Sequence, residues 1–272
     1  MIGKRENGVK SIPHNLIYDH VKPVRQRWFG CACCPPNIAR ILGSLGNYIY
    51  TVKENEVLTN LYIASTSTLA TQHGYLTITQ SGEYPWKDTI TLTIDEAPSQ
   101  AVSLGLRIPD WCNQAHLAIN GVPYPLPESV QNGYAMVSQE WGTGDTLTLT
   151  LPMETLVLRG HEKLRHSAGK ISIQRGPLVY CIEQADNGEG LHNIRLDSDT
   201  KFTVIEGEGI FSGKTLLQAP AIKAIKPASS EELSRYNTPK TQWVSHPLTL
   251  IPYFTWANRG EGEMRVWITE KE

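Results

Sequence analysis

Thr89-Ile90-Thr91-Leu92-Thr93-Ile94 alternates a polar β-branched residue with an aliphatic one, and Thr146-Leu147-Thr148-Leu149-Thr150-Leu151 repeats the pattern. Successive side chains of a strand point to opposite faces, so a period of two buries one face and wets the other. A helix cannot keep that pattern on one side. These two runs make the fold class mostly β. Around them lie further short runs rich in β-branched and aromatic residues, at 57–64, 75–80, 101–108 and 116–119. Asn120-Gly121 is a hairpin signal, because both residues tolerate the positive φ of a tight turn. Gly142-Thr143-Gly144-Asp145 reads as a second turn. Short strands at this spacing predict a β-sandwich.

A second β-rich block follows, with strands expected at 155–158, 170–174, 178–183, 201–205 and 216–223, and a last one at 262–269. A polar connection is read around 227–233. Upstream, Ser11-Ile12-Pro13 and Val21-Lys22-Pro23 are extended or loop segments, since the residue before proline avoids the helical region. A helix is expected over 35–50. Ile38, Ile41, Leu42, Leu45, Tyr48 and Ile49 recur at the spacing of one buried helix face, and proline suits a first turn.

The chain has 272 residues, 40% hydrophobic and 19% charged, with a formal net charge of −2. That is a globular composition with enough chain for one large domain or two modest ones. Lys and Arg do not cluster, so no nucleic-acid partner is expected. No apolar run approaches the roughly 18 to 20 residues of a membrane helix. The polar start, Met1-Ile2-Gly3-Lys4-Arg5-Glu6-Asn7-Gly8, has no secretory pattern. The odd count of five cysteines argues against a disulfide framework. Reduced thiols and a cytoplasmic location are expected.

Three of the cysteines fall within Cys31-Ala32-Cys33-Cys34, just ahead of the expected helix. Zinc takes thiolate, imidazole and carboxylate ligands in tetrahedral geometry. Adjacent cysteines reach one ion where the backbone turns sharply, and a helix N-terminus favours an anion. The plain alternative is that these are small buried hydrophobes. His14, His20 and Glu54 are the nearest further ligand candidates, with no pattern to support them. Cys112 and Cys181 read as core residues. Trp111, Trp141, Trp256 and Trp267 read as packing anchors, and Trp86 and Trp243 carry no assignment. His161 and His166 read as solvated.

The string Gln26-Arg27-Trp28-Phe29-Gly30-Cys31-Ala32-Cys33-Cys34-Pro35-Pro36-Asn37-Ile38-Ala39-Arg40 strongly resembles the signature of glycoside hydrolase family 127, the β-L-arabinofuranosidase family. The resemblance continues through Ile108-Pro109-Asp110-Trp111-Cys112, Leu151-Pro152-Met153, Gln174-Arg175-Gly176-Pro177-Leu178-Val179-Tyr180 and Ile251-Pro252-Tyr253-Phe254-Thr255-Trp256-Ala257-Asn258-Arg259-Gly260. It implies an (α/α)6 barrel followed by two β-sandwiches, with zinc held in the barrel by three cysteines and a glutamate. Cys33 matches the nucleophile and a zinc ligand, and Cys34 matches a zinc ligand. Trp28 is the candidate to border a sugar. The family's Glu-x-Cys segment, which supplies the remaining ligands, has no counterpart here, and no residue matches the general acid/base.

On that pattern residues 1–50 are a barrel remnant, and most of the barrel is expected to precede Met1. Residues 51–154 plus 258–272 form one sandwich, and 155–257 form a second, inserted one. The expected function is the C-terminal region of a retaining zinc-thiolate glycoside hydrolase acting on β-L-arabinofuranosides or related sugars. The rival is a non-catalytic β-sandwich module that binds carbohydrate or forms a homodimer.

Overall fold

We describe the fold from a computed structural model, which describes residues 2–5, 8–11, 33–126, 130, 132–225 and 241–271. A hairpin pairs β1 (Ile2–Arg5) with β2 (Gly8–Ser11). Helix α1 (Cys34–Ser44) follows, extended by a 3-10 turn over Leu45–Tyr48. The described residues then fall into two compact units. One lies between Phe29 and Glu154; the other runs from Thr155 onward and includes the β1–β2 hairpin.

The first unit is a β-sandwich. Its strands are β3 (Tyr50–Lys53), β4 (Glu56–Thr59), β5 (Ser65–Thr71), β6 (Gly74–Gly82), β7 (Thr89–Glu96), β8 (Val102–Arg107), β9 (His116–Ile119), β10 (Val122–Tyr124), β11 (Tyr134–Gln139) and β12 (Thr146–Thr150). A six-stranded sheet runs β10-β9-β12-β7-β6-β5, and a four-stranded sheet runs β11-β8-β4-β3. Ile90, Leu92 and Ile94 of β7 and Leu147 and Leu149 of β12 share one core with Val57, Leu104, Leu106 and Val137 of the other sheet. Each such side chain contributes about 1.5–3 kcal/mol by leaving water. The threonines between them pair across the outer face, where Thr93 stands opposite Thr79 and Thr146. In β8, a Cβ on Gly105 would lie 2.4 Å from Leu58 Cδ2 and 2.8 Å from Met136 Sδ, so glycine is what lets the neighbouring strands' side chains fill this layer.

The second unit holds β13 (Thr155–Arg159), β14 (Lys170–Arg175), β15 (Leu178–Glu183), the short helix α2 (Gln184–Asn187), β16 (Ile194–Leu196), β17 (Thr203–Glu206), β18 (Thr215–Ile225), β19 (Gln242–Pro252), β20 (Met264–Arg265) and β21 (Ile268–Glu270). Strands β13 to β21 belong to a single nine-stranded sheet, and the pairing path β14-β21-β16-β18-β19-β15 closes when β15 pairs β14. Layers joined at their edges leave few unpaired backbone groups.

Two expectations are corrected here. The 258–272 segment does not return to the first sandwich. Met264 is buried with Cys181 and Ile251, and Ile268 pairs with Ile171 inside the second core. The Arg259 guanidinium also grips the Glu183 and Asp186 carboxylates and lies over the Phe211 ring at 4.8 Å, tying the segment to β15 and α2. The expected helix over 35–50 stops at Ser44, and the chain enters β3 at Tyr50. Gly43 and Gly46 weaken helix propagation there. Its apolar face is not buried either: Ile38, Ile41 and Leu42 are 60%, 59% and 65% exposed.

Candidate active site

Cys33 and Cys34 sit at the start of α1, and both are exposed. Cys33 is the N-cap residue. Its carbonyl accepts a 2.7 Å hydrogen bond from Asn37 Nδ2, which fixes the backbone where the chain turns into the helix. Pro35 and Pro36 pre-set the first turn. They also carry no N–H. Two donors of the first turn are therefore missing, and the anion-favouring character expected of this helix end is reduced.

The two sulfurs are 3.6 Å apart. Zinc–thiolate bonds of about 2.3 Å in tetrahedral geometry place neighbouring sulfurs about 3.8 Å apart. The pair thus has the spacing of two corners of such a site, and its two thiols suit zinc. The described residues do not supply the other corners. Among them no three His, Cys, Asp or Glu side chains come together. Glu54 is exposed in the β3–β4 turn at φ 54°, where its carbonyl accepts from Gln72 N–H. Cys31, His14, His20 and Trp28 lie outside the described residues.

The other cysteines are buried. Cys112 packs in the first core, and burial pushes its thiol up. Cys181, within β15, is fully buried and raised further by burial and by the Glu183 carboxylate. A raised thiol stays protonated and unreactive at neutral pH. Trp141 is buried, with its indole N–H donating to the Val102 carbonyl at 2.8 Å, and Trp256 stacks on Tyr253. His161 and His166 are exposed. The Glu183–Asp186–Arg259 cluster had no signal in the sequence, because Arg259 lies 76 residues from Glu183 and 73 from Asp186 along the chain. Its partners are all accounted for, and it is structural.

Comparison with known proteins gives the architecture a context. Residues 56–153 match the family described as "Beta-L-arabinofuranosidase, GH127 middle domain". Residues 156–269 match "Glycoside hydrolase family 127 C-terminal domain". The junction between the matches falls at the boundary between the two compact units, Glu154 and Thr155. Both matches begin downstream of Cys33 and Cys34. The chain is 34% identical over 259 residues to a non-reducing end beta-L-arabinofuranosidase of Bifidobacterium longum subsp. longum, covering 91% of this chain and 38% of that protein. The crystal structure of a GH127 beta-L-arabinofuranosidase from Geobacillus stearothermophilus T6 superposes with a TM-score of 0.84 at 39% identity, covering 93% of this chain and 39% of that one. A second GH127 beta-arabinofuranosidase structure superposes at 0.81, with 30% identity, 91% of this chain and 40% of the other.

These matches place the chain among the glycoside hydrolases. Within that class it belongs to family 127 and carries the family's middle and C-terminal domains. It spans about two fifths of the length of these relatives.

Among the described residues no helix is long and apolar enough to cross a membrane.

Proposed function

We propose that this chain is the C-terminal region of a retaining glycosidase that acts on β-L-arabinofuranosides, and that Cys33 is its nucleophile. The observation that carries the reading is the adjacent thiol pair at the start of α1, with sulfurs 3.6 Å apart. The family resemblance of the surrounding string and the names of the relatives support it. A retaining glycosidase works by two displacements through a covalent sugar–enzyme intermediate. In the first, Cys33 Sγ forms a bond to the anomeric carbon as the bond to the leaving oxygen breaks. In the second, water displaces the thiolate and the sugar leaves with its original configuration. An acid/base group gives its proton to the leaving oxygen in the first step and takes one back from the attacking water in the second. None of the described residues is assigned that role.

The metal in this reading is zinc, with Cys33 and Cys34 as two ligands; when bound, it keeps a coordinating thiol deprotonated. Cys34, one residue into the helix, is the holding ligand. Cys33, the N-cap, would be the thiolate that attacks.

The test is Cys33→Ala in a polypeptide that joins this chain to the remaining length of its relatives. Turnover of an aryl β-L-arabinofuranoside is expected to fall by about a thousandfold or more, with an unchanged melting transition. Wild-type-like turnover would remove Cys33 from the mechanism.

A second reading is a non-catalytic carbohydrate-binding or dimer-forming module. It is favoured by one observation: among the described residues the thiol pair gathers no third ligand. Sugar binding without hydrolysis by the 272-residue chain would support it.

A further inference from the structure

We infer that the second unit carries a carbohydrate-binding cleft of its own, centred on Trp243. The cleft has a volume of about 900 Å³ and shares no residue with the thiol pair. Trp243, Arg195, Thr269, Glu270, Lys271 and Gly169 line it. Ligand sites in proteins occupy roughly 300–1,000 Å³ and combine apolar surface with a few oriented polar groups.

The groups here are of that kind, and Arg195 and Glu270 are held in place before any ligand arrives. Trp243 is the second residue of the long strand β19 and remains 41% exposed, although burial of such a ring is strongly favourable. The Arg195 guanidinium lies 5.4 Å from the centre of the ring and stabilises it as a cation over an aromatic face. Arg195 is itself anchored, since its Nη1 donates to the His192 carbonyl at 3.0 Å and the Ile194 carbonyl at 3.1 Å. The Glu270 carboxylate accepts from both Nε and Nη2 of Arg159, and Lys271 Nζ is 3.6 Å from Asp197. A Cβ placed on Gly169 would meet nothing within 4 Å, so the wall beside Glu270 is open. Groups fixed in this way lose little freedom when a ligand binds.

The chemistry selects the ligand class. An aliphatic ligand has no use for three charged side chains. A small anion has no use for an exposed indole. A sugar ring uses both: its C–H face covers the tryptophan, and its hydroxyls bridge carboxylate, guanidinium and Thr269 hydroxyl. The ligand assigned is therefore a neutral furanose or pyranose oligosaccharide. The inference stands apart from the Cys33 mechanism and does not need it.

The test is calorimetric titration of the full 272-residue chain with arabino-oligosaccharides, with glycerol as the polyol control. Wild type is expected to bind the oligosaccharide and not glycerol. Trp243→Ala is expected to weaken binding by about tenfold or more, Trp243→Phe by less, and Cys33→Ala not at all. Arg195→Ala provides a second variant that leaves the indole in place, and it too is expected to bind more weakly. No binding by folded wild type would overturn the inference. So would binding that Trp243→Ala and Arg195→Ala leave unchanged, or binding that Cys33→Ala abolishes, which would place the sugar at the thiols instead.

Discussion

Asn120 sits at φ 52° and Gly121 at φ 76°, the paired positive values of a tight hairpin turn between β9 and β10. The Asn120 side chain does more than tolerate that turn. Its Oδ1 accepts from Thr146 N–H at 2.8 Å, and its Nδ2 donates to Asp145 Oδ1 at 2.9 Å. Asp145 Oδ2 in turn accepts from Gly142 N–H at 2.7 Å. The Gly142 N–H first, and then the Asn120 amide, hold the Asp145 carboxyl below the usual carboxylate range. A depressed carboxyl stabilises the fold above its unfolded pKa of about 3.9, and that stability is lost as pH falls through the folded value. Asp145→Asn is therefore expected to lower stability at pH 7 and to flatten the acid limb of a urea-midpoint profile below about pH 4. An unchanged profile would mean that the two loops do not depend on this carboxylate. The Asn-Gly turn was legible in the sequence because its signal is local. The bridge to Asp145 was not, because it joins residues 25 apart.

At the scale of elements, alternation was a reliable guide wherever one face met a core. The alternating runs at 89–94 and 146–151 fall on the strands Thr89–Glu96 and Thr146–Thr150, whose aliphatic residues are buried in turn. Strands without clean alternation were missed: Ser65–Thr71 carries mostly small polar residues, and Tyr134–Gln139 mixes both kinds. Helix α1 shows the opposite failure. Its apolar periodicity forecasts a helix correctly, but periodicity does not say what lies opposite. Ile38, Ile41 and Leu42 remain exposed, an apolar patch of the kind that marks an interaction surface. Ile41→Lys in the 272-residue chain is expected to reduce binding of a hydrophobic dye and self-association. Its stability should change by no more than about 0.5 kcal/mol, because the side chain leaves no core. A loss of several kcal/mol on chemical unfolding would show that this face is packed.

For the whole molecule, two compact units account for two family domains, and the boundary at Glu154 and Thr155 separates them in both structure and family match. The sequence gives little warning that 258–272 closes the second unit, because Met264 and Ile268 would suit either core equally well. Pairing of Ile268 with Ile171, together with the grip of Arg259 on Glu183, decides between them. The residues of the thiol pair alone read equally as chemistry or as packing, and the resemblance of the string around them is what turned the reading towards a metal site. The completion of a zinc site around the pair was not legible, because among the described residues no group of three His, Cys, Asp or Glu side chains forms there. We propose that Cys33 and Cys34 are two corners of a zinc site. The most direct test is zinc per chain, by elemental analysis, in a polypeptide that joins this chain to the remaining length of its relatives, purified under reducing conditions. One zinc per chain is expected, lost in Cys34→Ala. One zinc retained in both Cys33→Ala and Cys34→Ala, or full activity with none, would contradict it.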